Sequence, residues 1–141
     1  MRKLLLILVT ILMTTCGTNS ENEKSKTDFL NSIQGKWTVS EVNSIAKEDL
    51  SNYPKTPFIK IEEEKVSGNN GCNNYFSSIN LIDEKSLEFS PFGETKMMCR
   101  DMQISDAFSL SLSKIKTYIV DEETLTLFNS KGEKVLVFTK S

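Results

Sequence analysis

Apolar and polar side chains alternate over several short segments of the chain, a pattern that predicts β-strands with one buried face. In the segment 35–42, Trp37 and Val39 fall on one face and polar residues separate them. The alternation returns over 58–61. Between these strands, 43–57 has no regular period and carries two prolines, so we expect a long irregular connection there.

Residues that favour tight turns separate the remaining strand segments. Asn and Gly tolerate positive φ, and both occur in Asn69-Asn70-Gly71. Two strands joined by so short a connection pair as a hairpin. We therefore predict three hairpins, which pair 65–68 with 72–80, 72–82 with 86–90, and 125–128 with 134–138.

One segment, 101–116, has the spacing of an amphipathic helix. Its apolar residues recur at intervals of four, four and three, at Ile104, Phe108, Leu112 and Ile115. Asp101 is a suitable N-cap for this helix. Lys114 and Lys116 fall near its expected C-terminal end, where the helix dipole favours cations.

These patterns together predict an α+β fold. About eight antiparallel strands follow one another as a β-meander, and a single α-helix can cover the apolar face of their sheet. Phe29, Leu30 and Ile33 suggest a short helical lead into the first strand. We expect the sheet to curl into an incomplete barrel around the helix.

Residues 1–15 have the organisation of a secretory signal peptide. Arg2 and Lys3 precede an apolar run that is too short to cross the roughly 30 Å of a bilayer core as a helix. The run ends in Met-Thr-Thr-Cys, which is similar to a relaxed bacterial lipobox and predicts that Cys16 carries a lipid. The alternative is ordinary signal cleavage nearby, which would release a soluble secreted protein.

The residues after the signal peptide divide into a tether and a domain. Residues 17–27 contain no large apolar side chain, so we expect 16–27 to be a lipidated cysteine followed by a flexible tether. Residues 28–141 then form one domain, because 141 residues suffice for only one domain of ordinary size.

Composition excludes several classes of function. The net charge is -2, so the chain offers no basic surface for nucleic acid. The sequence has no histidine, which removes Ser-His-Asp, Cys-His and imidazole-zinc sites. Paired carboxylates, glycine-rich phosphate loops and nucleophile elbows are also absent from the sequence. We therefore expect a monomer that is not an enzyme and uses no cofactor or metal.

Five short motifs follow one another along the chain: Gly35-x-Trp37, Val66-Ser67-Gly68, Gly71-Cys72-Asn73, Tyr75-Phe76 and Thr95-Lys96-Met97-Met98-Cys99. Over 33–139 this order resembles the META domain family, which includes the heat-shock protein HslJ. One departure is a serine at Ser77 or Ser78, where many relatives have glycine. The resemblance implies a small envelope lipoprotein with no defined enzymatic activity.

Cys72 and Cys99 form an even pair once Cys16 is lipidated, and an exported chain meets an oxidising compartment. A disulfide between them is the expected outcome. Two reduced, buried cysteines are the alternative. A Cu(I) site is a third interpretation, because Met97, Met98 and Met102 surround Cys99 and soft sulfur ligands select that ion.

Two polar clusters admit both a functional and a structural interpretation. Asn73, Asn74 and Tyr75 could bind a ligand, but asparagine beside a tight turn usually bonds to local backbone, and Tyr75 or its neighbour must face the core. The run 62–64 is three glutamates without the geometry of a calcium loop, so a solvated turn is the better interpretation.

The sequence therefore predicts a non-catalytic lipoprotein of the cell envelope, held to a membrane by its N-terminal lipid. It would bind a protein or an apolar ligand in an envelope-integrity or stress role. The alternative is a module that handles a soft metal such as copper through Cys72, Cys99 and the nearby methionines.

Overall fold

The computed structural model describes residues 20–141, with side chains from Lys26 onward. The predicted signal peptide, 1–15, and the predicted lipid attachment at Cys16 lie outside the described residues. Within 20–141, no helix is long and apolar enough to cross a membrane.

The described chain contains three helices and nine strands. The helices are α1 Ser20–Ser32, α2 Lys47–Ser51 and α3 Gln103–Leu112. The strands are β1 Gly35–Val42, β2 Phe58–Glu62, β3 Lys65–Asn69, β4 Asn74–Ile82, β5 Leu87–Phe89, β6 Gly93–Glu94, β7 Ile115–Val120, β8 Thr124–Asn129 and β9 Lys134–Lys140.

All the strands join one antiparallel sheet, in the order β5-β4-β3-β2-β1-β9-β8-β7, with β6 also paired to β4. The three predicted hairpins are present, as β3–β4, β4–β5 and β8–β9. The meander runs in chain order within β1–β5 and within β7–β9. The two halves are joined where β1 pairs with β9, as in Val39 opposite Phe138.

The sheet curls until its two end strands almost meet. β5 and β7 approach at a single bridge between Ser86 and Thr117, and the Tyr118 N–H donates to the Lys85 carbonyl at 3.0 Å. Beyond this point the two strands separate. The predicted α+β fold with an incomplete barrel is therefore confirmed.

The core lies inside this curled sheet. Trp37 of β1 is fully buried, and its Nε1 donates to the Ile33 carbonyl at 2.9 Å, which fastens the end of α1 to the first strand. Phe108 of α3 is also fully buried, and its ring contacts those of Phe138 and Tyr75. The amphipathic helix thus packs inside the barrel, as its apolar spacing predicts.

The predicted helix 101–116 was too long at both ends. α3 ends at Leu112, where the Lys114 N–H bonds to the Ser111 carbonyl and the chain turns into β7. Ile115 is buried, but in a strand, because its spacing fits the helical stripe and the strand alternation equally well. The helix-dipole role assigned to Lys114 and Lys116 was therefore wrong.

The start of α3 also differs in detail from the predicted cap. The N-cap residue is Met102, which makes no side-chain cap. Asp101, the predicted N-cap, lies one residue earlier, and its Oδ1 accepts the Gln103 N–H at 2.9 Å. The carboxylate still bonds to the first turn of the helix.

Two stretches predicted to lack regular structure are partly helical. α1 begins at Ser20, so 20–27 is helical where a flexible tether was predicted. Glu and Lys, which are frequent there, have good helix propensity, and the helix continues into the packed turn near Ile33. The connection 43–57 contains α2, whose Leu50 is buried against the core. The described residues therefore form three helices, where one was predicted.

Candidate functional site

The structure brings the two most specific motifs together. We call 69–73, between β3 and β4, the Asn loop, and 95–99, after β6, the strap. A disulfide joins Cys72 of the Asn loop to Cys99 of the strap, with Cα atoms 6.0 Å apart. Cys72 is buried, whereas Cys99 lies at the surface.

Asn70 holds the Asn loop in shape and ties it to α3. Its side-chain oxygen accepts the N–H groups of Cys72 at 3.0 Å and Asn73 at 2.6 Å. Its Nδ2 donates to Ser109 Oγ of α3 at 2.9 Å. Asn70 is only 3% exposed, so these contacts satisfy a side chain that has little access to water.

Asn73 holds the strap in the same way. Its Oδ1 accepts from Thr95 Oγ1 at 2.9 Å and from the Met97 N–H at 2.6 Å. Its Nδ2 donates to the Met97 carbonyl at 3.2 Å. Every polar atom of the Asn73 side chain is thereby used, which supports the structural interpretation of this residue over the ligand-binding one.

Gly71 is required by both conformation and space. Its φ is +102°, in the left-handed region that favours glycine. A Cβ at this position would lie 2.6 Å from the Tyr53 ring. The backbone conformation and the nearby Tyr53 ring therefore explain the glycine that begins the Gly-Cys-Asn motif.

Of the two neighbouring aromatic residues, one of which was expected in the core, Tyr75 is the buried one. It is 3% exposed and its hydroxyl donates to the Phe58 carbonyl at 2.8 Å. Burial raises the pKa of Tyr75 far above its ordinary range, so this hydroxyl stays protonated. Phe76, on the opposite face of β4, is 68% exposed.

The glutamate run 62–64 is an exposed turn between β2 and β3. Glu62 pairs with Lys60 at 2.7 Å and Glu64 pairs with Lys26 at 2.5 Å. Glu63 has a φ of 55°, and its N–H bonds to Gln34. The carboxylates point to separate partners and do not converge.

The sulfur atoms proposed as soft-metal ligands do not gather into one site. Both cysteine sulfurs are joined to each other, and Met98 is 91% exposed. Met102 Sδ accepts the Cys99 N–H at 3.4 Å. Among the described residues, His, Cys, Asp and Glu form no group of three or more that could hold a metal ion.

An open cleft lies where the barrel fails to close. Past the Ser86–Thr117 bridge, residues 88–94 separate from the start of β7 and the end of α3, leaving a volume of about 690 Å³. Its deeper surface is apolar and includes Tyr75, Phe89, Phe92, Leu112 and Ile115. The Phe92 ring lies 5.5 Å from that of Phe89 and 5.7 Å from that of Tyr75.

Charged side chains surround the mouth of this cleft. Glu88 pairs with Lys116 at 2.9 Å and so bridges the end where β5 and β7 diverge. Glu94 and Lys96 lie at the other end, both exposed, and neither makes an ion pair with another described residue. An apolar floor with a few charged groups at the rim is the usual composition of a ligand pocket.

A second opening of about 680 Å³ lies on the outside of the barrel, between the end of α1 and β7. It is almost entirely apolar, with Phe29, Tyr118 and Phe128 among its lining residues, and Ile119 is 63% exposed beside it. Glu84 and Lys85 are the charged groups at its edge.

A family model for the META domain matches residues 30–141, which is most of the chain. The chain belongs to the META domain family. Its fold is similar to that of a protein from Burkholderia xenovorans solved by NMR, with 23% identity over 81% of this chain and 87% of that chain, and a TM-score of 0.62. A second protein solved by NMR has 21% identity over 75% of this chain and 88% of that chain, with a TM-score of 0.57. No curated protein gives a significant match.

The Asn loop and the strap form a scaffold beside the cleft, and of the motif residues Tyr75 and Lys96 also line the cleft. Ser109 connects the two regions, because it bonds to Asn70 and also lines the cleft. Sequence reasoning did not predict the cleft residues 88–94. The one signal available was Pro91 between two phenylalanines, which indicates an interrupted edge strand with apolar side chains.

Proposed function

We propose that this META domain is a non-catalytic binding module of the cell envelope, in which the cleft holds an apolar group of a protein or other ligand. The observation that carries the proposal is the open cleft at the gap in the barrel. Its walls come from 88–94 on the β4 side of the sheet and from the end of α3, so the opening is already formed without a ligand.

The chemistry of the buried groups supports binding over catalysis. The sequence has no histidine. Burial raises the pKa values of Tyr53, Tyr75 and Tyr118, so their hydroxyls remain neutral. Tyr75, the tyrosine that lines the cleft, already donates to backbone. None of these groups is poised to transfer a proton near neutral pH.

Binding in the cleft can be tested with the fluorescent apolar probe N-phenyl-1-naphthylamine. Ser113 is an exposed cleft residue, so Ser113→Phe fills the space from the rim without disturbing the core. We expect the wild-type domain to enhance the probe's fluorescence and Ser113→Phe to weaken its affinity at least tenfold. Ser130→Phe, in the exposed turn between β8 and β9, is the matched control. Equal binding by all three proteins would place the probe elsewhere and refute the proposal.

The envelope location rests on the sequence 1–16 and needs its own test. We expect the intact mass of the protein purified from its own membranes to show loss of 1–15 and acylation of Cys16. Cys16→Ser is expected to move the protein out of the membrane fraction. A full-length, unacylated product in the soluble fraction would contradict this part of the proposal.

A further inference from the structure

The open side of the cleft is the edge of a β-strand. β6 pairs with β4 and with no other described strand, and β5 meets β7 only at the Ser86–Thr117 bridge. Edge strands present N–H and C=O groups that can pair with another extended chain. The gap in the barrel therefore offers backbone hydrogen-bonding groups next to an apolar floor.

The register of β6 shows which backbone groups face the gap. Glu94 lies opposite Tyr75, and the Thr95 N–H bonds to the Asn74 carbonyl at 3.0 Å. Neighbouring residues in an antiparallel strand turn their backbone groups to opposite sides. Because Thr95 bonds toward β4, the N–H and C=O of Glu94 point away from β4, toward the open edge.

Side chains in β6 and on either side of it complete the site. Phe92 precedes β6, Glu94 belongs to it and Lys96 follows it in the strap, and all three line the cleft. The floor beneath them contains Phe89 and Leu112. An occupant that matches all of these groups has an extended backbone, one apolar side chain, and charges that complement Glu94 and Lys96.

We propose that the cleft binds an extended peptide segment of a partner protein, which pairs its backbone with Glu94 and inserts an apolar side chain over Phe89 and Phe92. This inference rests on the proposed binding function of the cleft. Such strand addition draws affinity from backbone bonds and specificity from the pocket beneath alternate side chains. A basic residue two positions from the apolar one meets Glu94, and an acidic residue two positions further in the same direction meets Lys96.

Two acetylated peptides, with cores Phe-Val-Lys-Val-Glu and Glu-Val-Lys-Val-Phe, test the inference by isothermal titration. Their charges are reversed relative to the chain direction, so Glu94 and Lys96 favour one of them. We expect one peptide to bind more tightly, and the preference to diminish or reverse in Lys96→Glu. Equal affinity of both peptides for the wild type and for Lys96→Glu would overturn the assigned contacts.

Backbone pairing is tested by N-methylation of the better peptide. Only alternate N–H groups of an added strand face the edge. Methylating one alternate set is expected to weaken binding about tenfold or more, while methylating the other set changes it less than about threefold. If both analogues bind like the parent peptide, strand addition is refuted.

Glu94→Pro gives the matching test on the protein. Proline removes the N–H that faces the open edge and is tolerated where that N–H is not part of the ladder. We expect Glu94→Pro to lose peptide binding, while Glu94→Gln retains peptide binding through its backbone. If both variants still bind the peptide, the inference is refuted. If the probe binds the wild type and no peptide does, the peptide inference fails and the cleft function stands; if neither binds, both fail.

Discussion

The Asn loop with its strap and the cleft lie on either side of Ser109, yet they differ in almost every respect. In the first region the asparagine side chains are buried and bonded on all sides, and a covalent bond joins the two segments. In the second, apolar rings and strand-edge groups face an open volume. The motif residues of the Asn loop therefore build the scaffold, and the cleft beside them shares only Tyr75 and Lys96 with the motifs.

Asn70 and Asn73 are polar and lie next to a turn, which invites assignment to a ligand site. Their partners are backbone groups of the loop and the strap, together with Ser109 and Thr95. A polar residue whose donors and acceptors are all satisfied within the fold has little left for a ligand.

Removing the disulfide between the Asn loop and the strap has the largest expected effect on the stability of the domain. Cys72 and Cys99 are 27 residues apart, and by the chain-entropy estimate closing such a loop stabilises a fold by about 3–4 kcal/mol. We expect Cys72→Ala/Cys99→Ala to lower the free energy of unfolding by about that amount in urea denaturation.

The same double variant tests whether the two regions are independent. We expect it to bind N-phenyl-1-naphthylamine with nearly unchanged affinity under conditions where it is folded, because the cleft walls do not include either cysteine. Wild-type protein treated with a dithiol is the control for the substitutions themselves. A stability loss below about 1 kcal/mol would contradict the prediction.

Asn70→Ala is the next largest expected effect. It leaves the buried N–H groups of Cys72 and Asn73 without their acceptor, and an unsatisfied buried group costs about 1–3 kcal/mol. We expect the free energy of unfolding to fall by about 2–3 kcal/mol in urea denaturation. Asn80→Ala, at an exposed position of β4, is expected to change it by less than about 0.5 kcal/mol. Similar losses in the two variants would show that the hydrogen bonds of Asn70 stabilise the fold no more than an exposed asparagine does.

The smallest expected effect on stability comes from Asp83, in the turn between β4 and β5. The N–H groups of Ser86 and Lys85 bond to Asp83 and lower the pKa of its carboxyl. A lowered pKa in the folded state adds stability above the ordinary value of about 3.9, and this stability is lost as the pH falls through the folded-state pKa.

Asp83→Asn keeps an oxygen acceptor for the turn and removes the charge. We expect wild type to exceed Asp83→Asn in stability at neutral pH, and the difference to shrink as the pH falls below about 4. Urea denaturation of both proteins at pH 7 and at pH 3 measures it. A difference that does not depend on pH would show that the carboxylate charge does not stabilise this turn.

Local sequence patterns predicted much of the fold. Turn residues at 69–71 and the alternation on either side located the hairpins, and the spacing of Ile104, Phe108 and Leu112 located α3. The pattern failed at Ile115, which fits a helical stripe as well as a strand, so β7 was missed. The pairing of β1 with β9 has no local signal, because it depends on how the two halves of the sheet meet.

The candidate site was less accessible to sequence reasoning. The expectation that the chain is exported, with two cysteines left after Cys16, predicted the Cys72–Cys99 pair that the structure contains. The position of the cleft depends on where β5 and β7 separate. This is set by the curvature of the whole sheet, so no single segment of the sequence predicts it. Phe89 and Phe92 read as ordinary core residues until the barrel geometry shows that they face an opening.

The union of β1 and β9 at the middle of the sheet has a consequence for how the protein is made. Trp37 pairs with Lys140, roughly a hundred residues later, so the central ladder forms only after the final strand has been synthesised. Until then the sheet has unpaired strand edges, and the side chains of the future core are exposed to water. The barrel therefore cannot close while the chain is still emerging, and the long sequence separation between β1 and β9 slows its closure.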